Sequence, residues 1–324
     1  MVTVDSPTRA VVTSRPSRPS RRTPPDDIPL SGRERKAVRT ARLLLWPALA
    51  VLLLVTQVPF VVTLVLSFQE WNLLKPGERG FVGFDNYVAV LAQGEFVSSL
   101  FSTVLIVGAS AALSLLLGLG LALLLDRKFR LQGLARTLLI TPFLMMPAAS
   151  ALIWKWSMLD ANNGMVNWFL SLLGAGPVSW NTDLPVLTVI IIVTWQYTPF
   201  MMLILLAGLQ SQSPEVLEAA SVDGAGPVRT FISMTLPHLR QYVELAVLLG
   251  VILMLQVFDP IAIVTRGTGG TKTLPYLLYE RAFIGLDIGE AAAYGVLSVI
   301  VTIVVATIAL RLLFKIFKAE GVVR

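Results

Sequence analysis

"LPVLTVIIIVTWQYTPFMMLILLAGL", Leu184–Leu209, runs for 26 residues without a charge. About 20 apolar residues in a helix cross the ~30 Å hydrocarbon core of a bilayer, so this stretch reads as a membrane span. The whole chain supports that reading. Of 324 residues, 55% are hydrophobic and 14% charged, with mean hydropathy +0.74. A soluble domain carries about 25% charged residues.

Working outward, five more apolar segments appear. Leu43–Phe68, Phe96–Leu125 and Ala291–Leu310 are uncharged. Thr137–Trp154 is short and bounded by Arg136 and Lys155. Leu245–Phe258 is also short and extends back past Glu244 to about Leu239. The fold expected is an all-α integral membrane protein with six transmembrane helices.

Basic residues set the orientation. Residues 1–42 hold ten Lys and Arg, 126–136 hold four, and the stretch after Leu310 holds four. The connections 69–95 and 259–290 hold two and three, each against four acids, and 155–183 holds one. Basic loops face the cytoplasm. Both termini are therefore expected inside, and the connection 210–240 with them. The tail 1–42 is rich in Arg, Pro and Ser, a composition that reads as a disordered basic arm drawn to anionic lipid rather than to nucleic acid. Ser31–Arg42 reads as a short interfacial helix. The tail and the apolar run after it are too long for a cleaved signal peptide. The domains expected are the tail 1–42, a six-helix transmembrane domain 43–318 that contains the cytoplasmic connection 210–240, and a short tail 319–324.

Some chemistries are excluded. With no cysteine and one histidine, His238, the chain has no disulfide, no thiolate metal site and no multi-histidine centre. "GTGGTKT", Gly267–Thr273, looks like a phosphate loop, but Thr271 stands where that pattern needs glycine before the lysine, so it reads as a flexible turn. No cofactor is expected on this chain.

The connection after the quoted span carries "EAASVDGAGPVRTFISMTLPHL", Glu218–Leu239. It is too polar for lipid. Ser213-Pro214 opens a short helix to Asp223. Gly224 and Gly226 break it. Pro227 starts a second short helix presenting Phe231 and Met234, and Leu236-Pro237 ends that turn before the fifth span. A loop that merely joins two spans needs fewer residues.

Glu218-Ala219-Ala220, Gly224 and Leu236-Pro237 resemble the "EAA…G…I-x-L-P" signature of permease subunits of binding-protein-dependent ABC importers. Met234 replaces the usual isoleucine. The resemblance covers about residues 43–318 and is of the maltose-type carbohydrate permeases. "FVGFDNYVAVL", "PVSW", "SWNTDLP" and "GTKTLPYLLYERAF" point within them to permeases for polyols such as sorbitol and mannitol. It implies a type I importer architecture in the inner membrane and a second permease subunit, so a heterodimer. It also implies two ATPase subunits that use ATP and Mg, and an external solute-binding protein. The loop would dock on the ATPase through Glu218, Ala219, Ala220, Asp223, Gly224, Phe231, Met234, Leu236 and Pro237. The chain itself would be no enzyme.

For the solute pathway, "TWQYTP", Thr194–Pro199, lies mid-span. Pro199 lacks an amide hydrogen and leaves the carbonyl of Trp195 without its usual partner. Irregular helix at that depth is tolerated where it lines a cavity. Trp195 offers a face for a neutral sugar or polyol, and Gln196 and Tyr197 offer hydrogen bonds. A kinked helix with packed aromatics is an equal reading. Gln256, Asp259, Tyr294 and Ser298 are weaker candidates. An ion-coupled secondary transporter or channel for a neutral solute is the competing class; it predicts internal repeats or buried ionisable groups.

Overall fold

The computed structural model describes residues 32–320. Most of the tail 1–42 and the end of the tail 319–324 lie outside them. The chain divides into two compact units, Met1–Val58 and Pro59–Arg324. The described part of the first unit is helical throughout. It belongs to α1 (Gly32–Leu66), whose apolar stretch Leu44–Leu66 is long enough to span. From Gly32 the helix continues without a break into the span.

The second unit continues with a short hairpin, β1 (Gln69–Trp71) and β2 (Arg79–Phe81), paired antiparallel with Gln69 opposite Phe81. Among the described residues it is the one sheet in an otherwise helical chain. Then come α2 (Asp85–Ala92) and α3 (Glu95–Asp126), followed by α4 (Gln132–Leu144) and α5 (Pro147–Ile153). A π-helical turn, Trp154–Met158, follows α5. The outer connection holds α6 (Met165–Leu172) and α7 (Trp180–Asp183), and α8 (Pro185–Gln210) is the span quoted above. After α9 (Pro214–Val222) and α10 (Pro227–Thr230) the chain passes through a π turn, Phe231–Thr235, into α11 (Leu236–Met254). Last are α12 (Leu274–Tyr279) and α13 (Ile288–Glu320).

Five described helices are long and apolar enough to cross a membrane, and a sixth span exists if the bent pair α4 and Pro147–Met158 counts as one. That pair is the expected third span, and it is broken by 101°. The cause is local. Pro147 disfavours helical backbone at Met146, whose ψ is 130°, and Met145 is extended too.

The fifth span also differs from expectation. It does not begin after a break at Leu236-Pro237. Helix runs from Pro227 to Met254. The Phe231–Thr235 turn lets the Leu236 N–H donate to the Phe231 carbonyl, five residues back, shifting the ladder next to the missing Pro237 amide. Arg240 and Glu244, at 2.8 Å, pair one turn apart inside the helix.

α3 and α8 form the centre of the second unit. Lipid tails are as apolar as leucine, so close helix packing relies on small residues rather than on burial from water. The inner face of α3 is built that way, with Ser99, Ser102, Thr103, Ser110, Ser114 and Gly118 all buried. A Cβ on Gly118 would stand 2.8 Å from the Met201 Cβ and 2.9 Å from the Met202 backbone nitrogen. Ile106, Val107 and Ala111 of α3 pack with Val189, Val193 and Met201 of α8 and Ala246 and Val251 of α11.

The stretch 255–287 is an ordered cap rather than a loose connection. The "GTGGTKT" turn is packed, not flexible. The Thr265 and Thr271 hydroxyls meet at 2.7 Å, the Thr271 hydroxyl donates to the Thr268 carbonyl at 2.7 Å, and the Leu274 N–H donates to the Thr103 hydroxyl at 2.9 Å. Lys272 pairs with Glu280 at 2.6 Å. The threonine hydroxyls add a second set of bonds to a turn whose Thr265 and Thr268 carbonyls already accept backbone N–H groups.

Candidate functional site

α8 rises 1.5 Å per residue, so its ends stand roughly 39 Å apart. α7 adjoins the Pro185 end. The 210–240 loop leaves from the Gln210 end.

In that loop Pro214 fills the first turn of α9, where its missing N–H costs nothing. Ser213 is not a side-chain cap: its hydroxyl donates instead to the Glu215 carboxylate at 2.7 Å. At the other end Gly224 has φ +77°. The Ala225 N–H donates to the Ala220 carbonyl at 2.9 Å, and the Gly224 N–H to the Ser221 carbonyl at 3.1 Å. That is a Schellman closure, which needs a left-handed residue where Gly224 sits. Gly226, with φ −70°, is ordinary extended backbone and needs no glycine on that ground.

Of the predicted coupling residues, Glu218, Ala219, Asp223, Gly224, Met234 and Pro237 are exposed. Ala220 is buried, and Phe231 and Leu236 are half-buried. Around them stand exposed apolar side chains that the motif does not name: Val216, Val222, Val228 and Ile232. Val222 keeps 87% of its surface open. The loop therefore offers a small polar-rimmed apolar face.

The base of the loop is clamped by residues the sequence reading passed over. The Ser211 hydroxyl lies 2.8 Å from the Tyr242 hydroxyl and 3.0 Å from His238 Nε2, which is also 3.1 Å from the Gly208 carbonyl. A Cβ on Gly208 would be 2.6 Å from the Tyr242 ring. The signal available was His238 and Tyr242 one turn apart on α11, facing the glycine near the end of α8.

The pathway candidates do not share one surface. α8 is α-helical through Pro199, so no irregular stretch opens at that depth. Successive residues on a helix point about 100° apart, and the three central candidates diverge accordingly. Trp195 lines a hollow of about 480 Å³ together with Leu117, Leu121, Leu139, Pro142 and Trp154, and meets Trp154 edge-on with centroids 5.6 Å apart. Gln196 is buried, with its amide nitrogen 3.5 Å from the Met145 carbonyl at the break in the third span. Tyr197 packs near Phe143, centroids 6.1 Å apart.

Gln256, just past the end of α11, is exposed and donates to the Ile252 carbonyl of that helix. Tyr294 is buried against Phe96, and the Ser298 hydroxyl donates to the Tyr294 carbonyl at 2.7 Å. Tyr294 thus sits in side-chain packing between α2, α3, α12 and α13, and Ser298, half-buried one turn on, bonds to its own helix. Asp259 is half-buried beyond the end of α11, and Trp195 lies at its own hollow, apart from the packing that holds Tyr294.

Arg281 is a second residue missed in sequence. It pairs with Glu95 at 2.5 Å and Glu290 at 3.8 Å and bonds Gln93 at 3.1 Å. Burial works against its charge, but the Glu95 hydrogen bond and Glu290 outweigh that and hold its pKa above the ordinary value.

Residues 114–319 match the family described as the binding-protein-dependent transport system inner membrane component. That is more than half of the chain. The chain belongs to this family. It is 34% identical over 309 residues to a probable ABC transporter permease, y4oQ, of Sinorhizobium fredii, covering 94% of this chain and 99% of that one. It is 35% identical over 265 residues to the trehalose/maltose transport system permease MalF of Thermococcus litoralis, covering 81% and 89%. Among solved structures, a bacterial ABC transporter importing alginate superposes with TM-score 0.73 at 21% identity, over 88% of this chain and 98% of that one. That likeness speaks to the fold, the type I importer permease. This member of the family is a transmembrane permease subunit of an ABC importer, not an enzyme.

Proposed function

We propose that this permease carries a neutral sugar or polyol into the cell across the inner membrane. It would form half of the pathway beside a second permease subunit. Two ATPase subunits, holding ATP and Mg, would couple to it through the 210–240 loop, and an external binding protein would deliver solute. The observation that carries the coupling role is the Gly224-closed knob. Its base is hydrogen-bonded to α8 and α11 through Ser211, His238 and Tyr242, yet Glu218, Val222 and Ile232 stay open. A shared ATPase can shift this subunit between inward and outward forms only through contacts that differ between the two. A stiff knob at the end of the central span is suited to that task.

Two features support a neutral polyhydroxylated solute. Trp195 offers an aromatic face to a hollow near mid-span whose lining carries no charge. Relatives are named for trehalose and maltose, sugars that are neutral and rich in hydroxyls. Sorbitol and mannitol belong to that chemical class, and the stretches Phe81–Leu91 and Gly270–Phe283 favour them.

The test is uptake into proteoliposomes containing the co-purified complex and its binding protein, with labelled sorbitol, mannitol, maltose and trehalose compared. Uptake that needs internal ATP supports the proposal. Uptake driven by an imposed ion gradient without ATP would overturn it.

A further inference from the structure

The outer connection carries an apolar surface that none of the pathway candidates occupies. Residues 161–182 include no charged side chain, and Asp160 and Asp183 bound them. Within them α6 shows Met165, Trp168, Phe169 and Leu172 to the outside, each at least half exposed, and Leu173 just beyond is 83% exposed. Positions i, i+3, i+4 and i+7 form one stripe along a helix. The Trp168 and Phe169 rings meet edge-on at 4.8 Å.

The opposite face is pinned. Asn167 is buried, and its amide nitrogen lies 3.2, 3.0 and 2.9 Å from the carbonyls of Asp160, Ala161 and Val178. Its carboxamide oxygen accepts from the Trp180 indole at 2.9 Å and the Val178 N–H at 3.3 Å. This network fixes the rotation of α6 about its own axis. The apolar stripe is therefore held outward.

We infer that α6 is an interfacial anchor, lying at the outer membrane–water boundary with its Met165–Trp168–Phe169–Leu172 face in lipid. Three observations select lipid over a protein partner. Exposed apolar residues continue on both flanks, with Leu152 and Trp156 at the end of the broken span and Leu184 and Leu187 at the start of α8. Those flanks are the outward faces of membrane segments. The stripe adds tryptophan beside that level, where amphipathic rings collect in membrane proteins. And 22 consecutive uncharged residues give no sign pattern for a water-borne partner to read. The amide and hydroxyl of Asn163 and Ser171 suit the hydrated headgroup zone. The consequence is mechanical: the anchor holds the end of the broken span and the start of α8 at one depth.

The natural absence of cysteine makes the test direct. Leu172→Cys and, separately, Met165→Cys are labelled with a nitroxide in the full chain. Each is reconstituted with its co-purifying subunits in phosphatidylcholine–phosphatidylglycerol vesicles. Collision rates with oxygen and with a water-soluble nickel chelate are then compared. Lipid exposure predicts oxygen above nickel at both positions. Nickel above oxygen means the stripe faces water, and low rates with both mean a protein covers it. Either result overturns the anchor.

Discussion

The N–H of Ala225 closes onto the carbonyl of Ala220 at 2.9 Å, and Gly224 makes that closure by standing at φ +77° between them. Space is not the reason for glycine here, because nothing lies within 4 Å of where its Cβ would be. Backbone conformation is. A left-handed backbone costs an ordinary L-residue roughly 1–2 kcal/mol. Gly224→Leu should therefore open the knob locally while leaving the spans inserted, and ATPase subunits should co-purify less well. Gly224→Asn, which tolerates this conformation, should recover most of the loss. If leucine and asparagine behave alike, the backbone argument is wrong.

Glu218 tests the docking face separately. It is exposed on α9, and its side chain makes no bond that holds the loop together. Glu218→Ala should leave the stability of the purified chain within about 0.5 kcal/mol. Solute-stimulated ATP hydrolysis by the assembled complex should nevertheless fall. Unchanged hydrolysis at saturating binding protein would remove Glu218 from the coupling face.

Much of this architecture could be read from the chain. Long uncharged runs such as Phe96–Leu125 and Leu184–Leu209 must be helices in lipid, because only a helix satisfies its own backbone there. Gly224 was legible too, since it follows a helix-length segment and stands three residues before Pro227. What escaped were effects of a few atoms acting over long sequence distances. The 101° break follows from Pro147, but apolar composition continues through it and hides it. The Phe231–Thr235 π turn lets a helix pass Leu236-Pro237, where a proline normally marks a start. Trp195, Gln196 and Tyr197 looked like one site because they are consecutive, and helical geometry separates consecutive residues. Arg281 and Glu95 stand 186 positions apart, and no local pattern links them.

Trp195 gives the pathway prediction. Its ring meets Trp154 on the far side of the bend and borders the 480 Å³ hollow. Trp195→Ala should lower solute uptake while the complex still assembles, whereas Ser298→Ala, far off in helix packing, should not. Uptake unchanged in Trp195→Ala, with the protein properly inserted, makes Trp195 a packing residue only.

Arg281 should matter for holding the outer end together. It links the start of α3 to the start of α13 through Glu95 and Glu290. Hydrogen bonds to charged groups are worth about 1.5–3 kcal/mol when intact. The pair is partly open to solvent, which puts the expected loss at the lower end. Arg281→Met keeps most of the stem and removes the charge. It should lower the melting temperature in detergent, and high salt should reproduce part of the effect in the parent chain.

The last prediction concerns how closely the two central helices approach. Gly118 lies against the backbone of α8, and an added methyl there would meet the Met202 nitrogen at 2.9 Å. Backbone cannot swing aside as a long side chain can, so α3 and α8 would have to separate. Overpacking of this kind costs typically 1–3 kcal/mol. Gly120, two residues on, has nothing within 4 Å of its Cβ position, and alanine is the better helix former there. Gly118→Ala should therefore destabilise the chain in detergent by about 1–3 kcal/mol, while Gly120→Ala should be neutral or stabilising. The two substitutions are chemically identical and lie on the same helix, so helix propensity and expression effects cancel in the comparison. Equal stability of the two variants would show that α3 and α8 do not approach as closely as Gly118 permits.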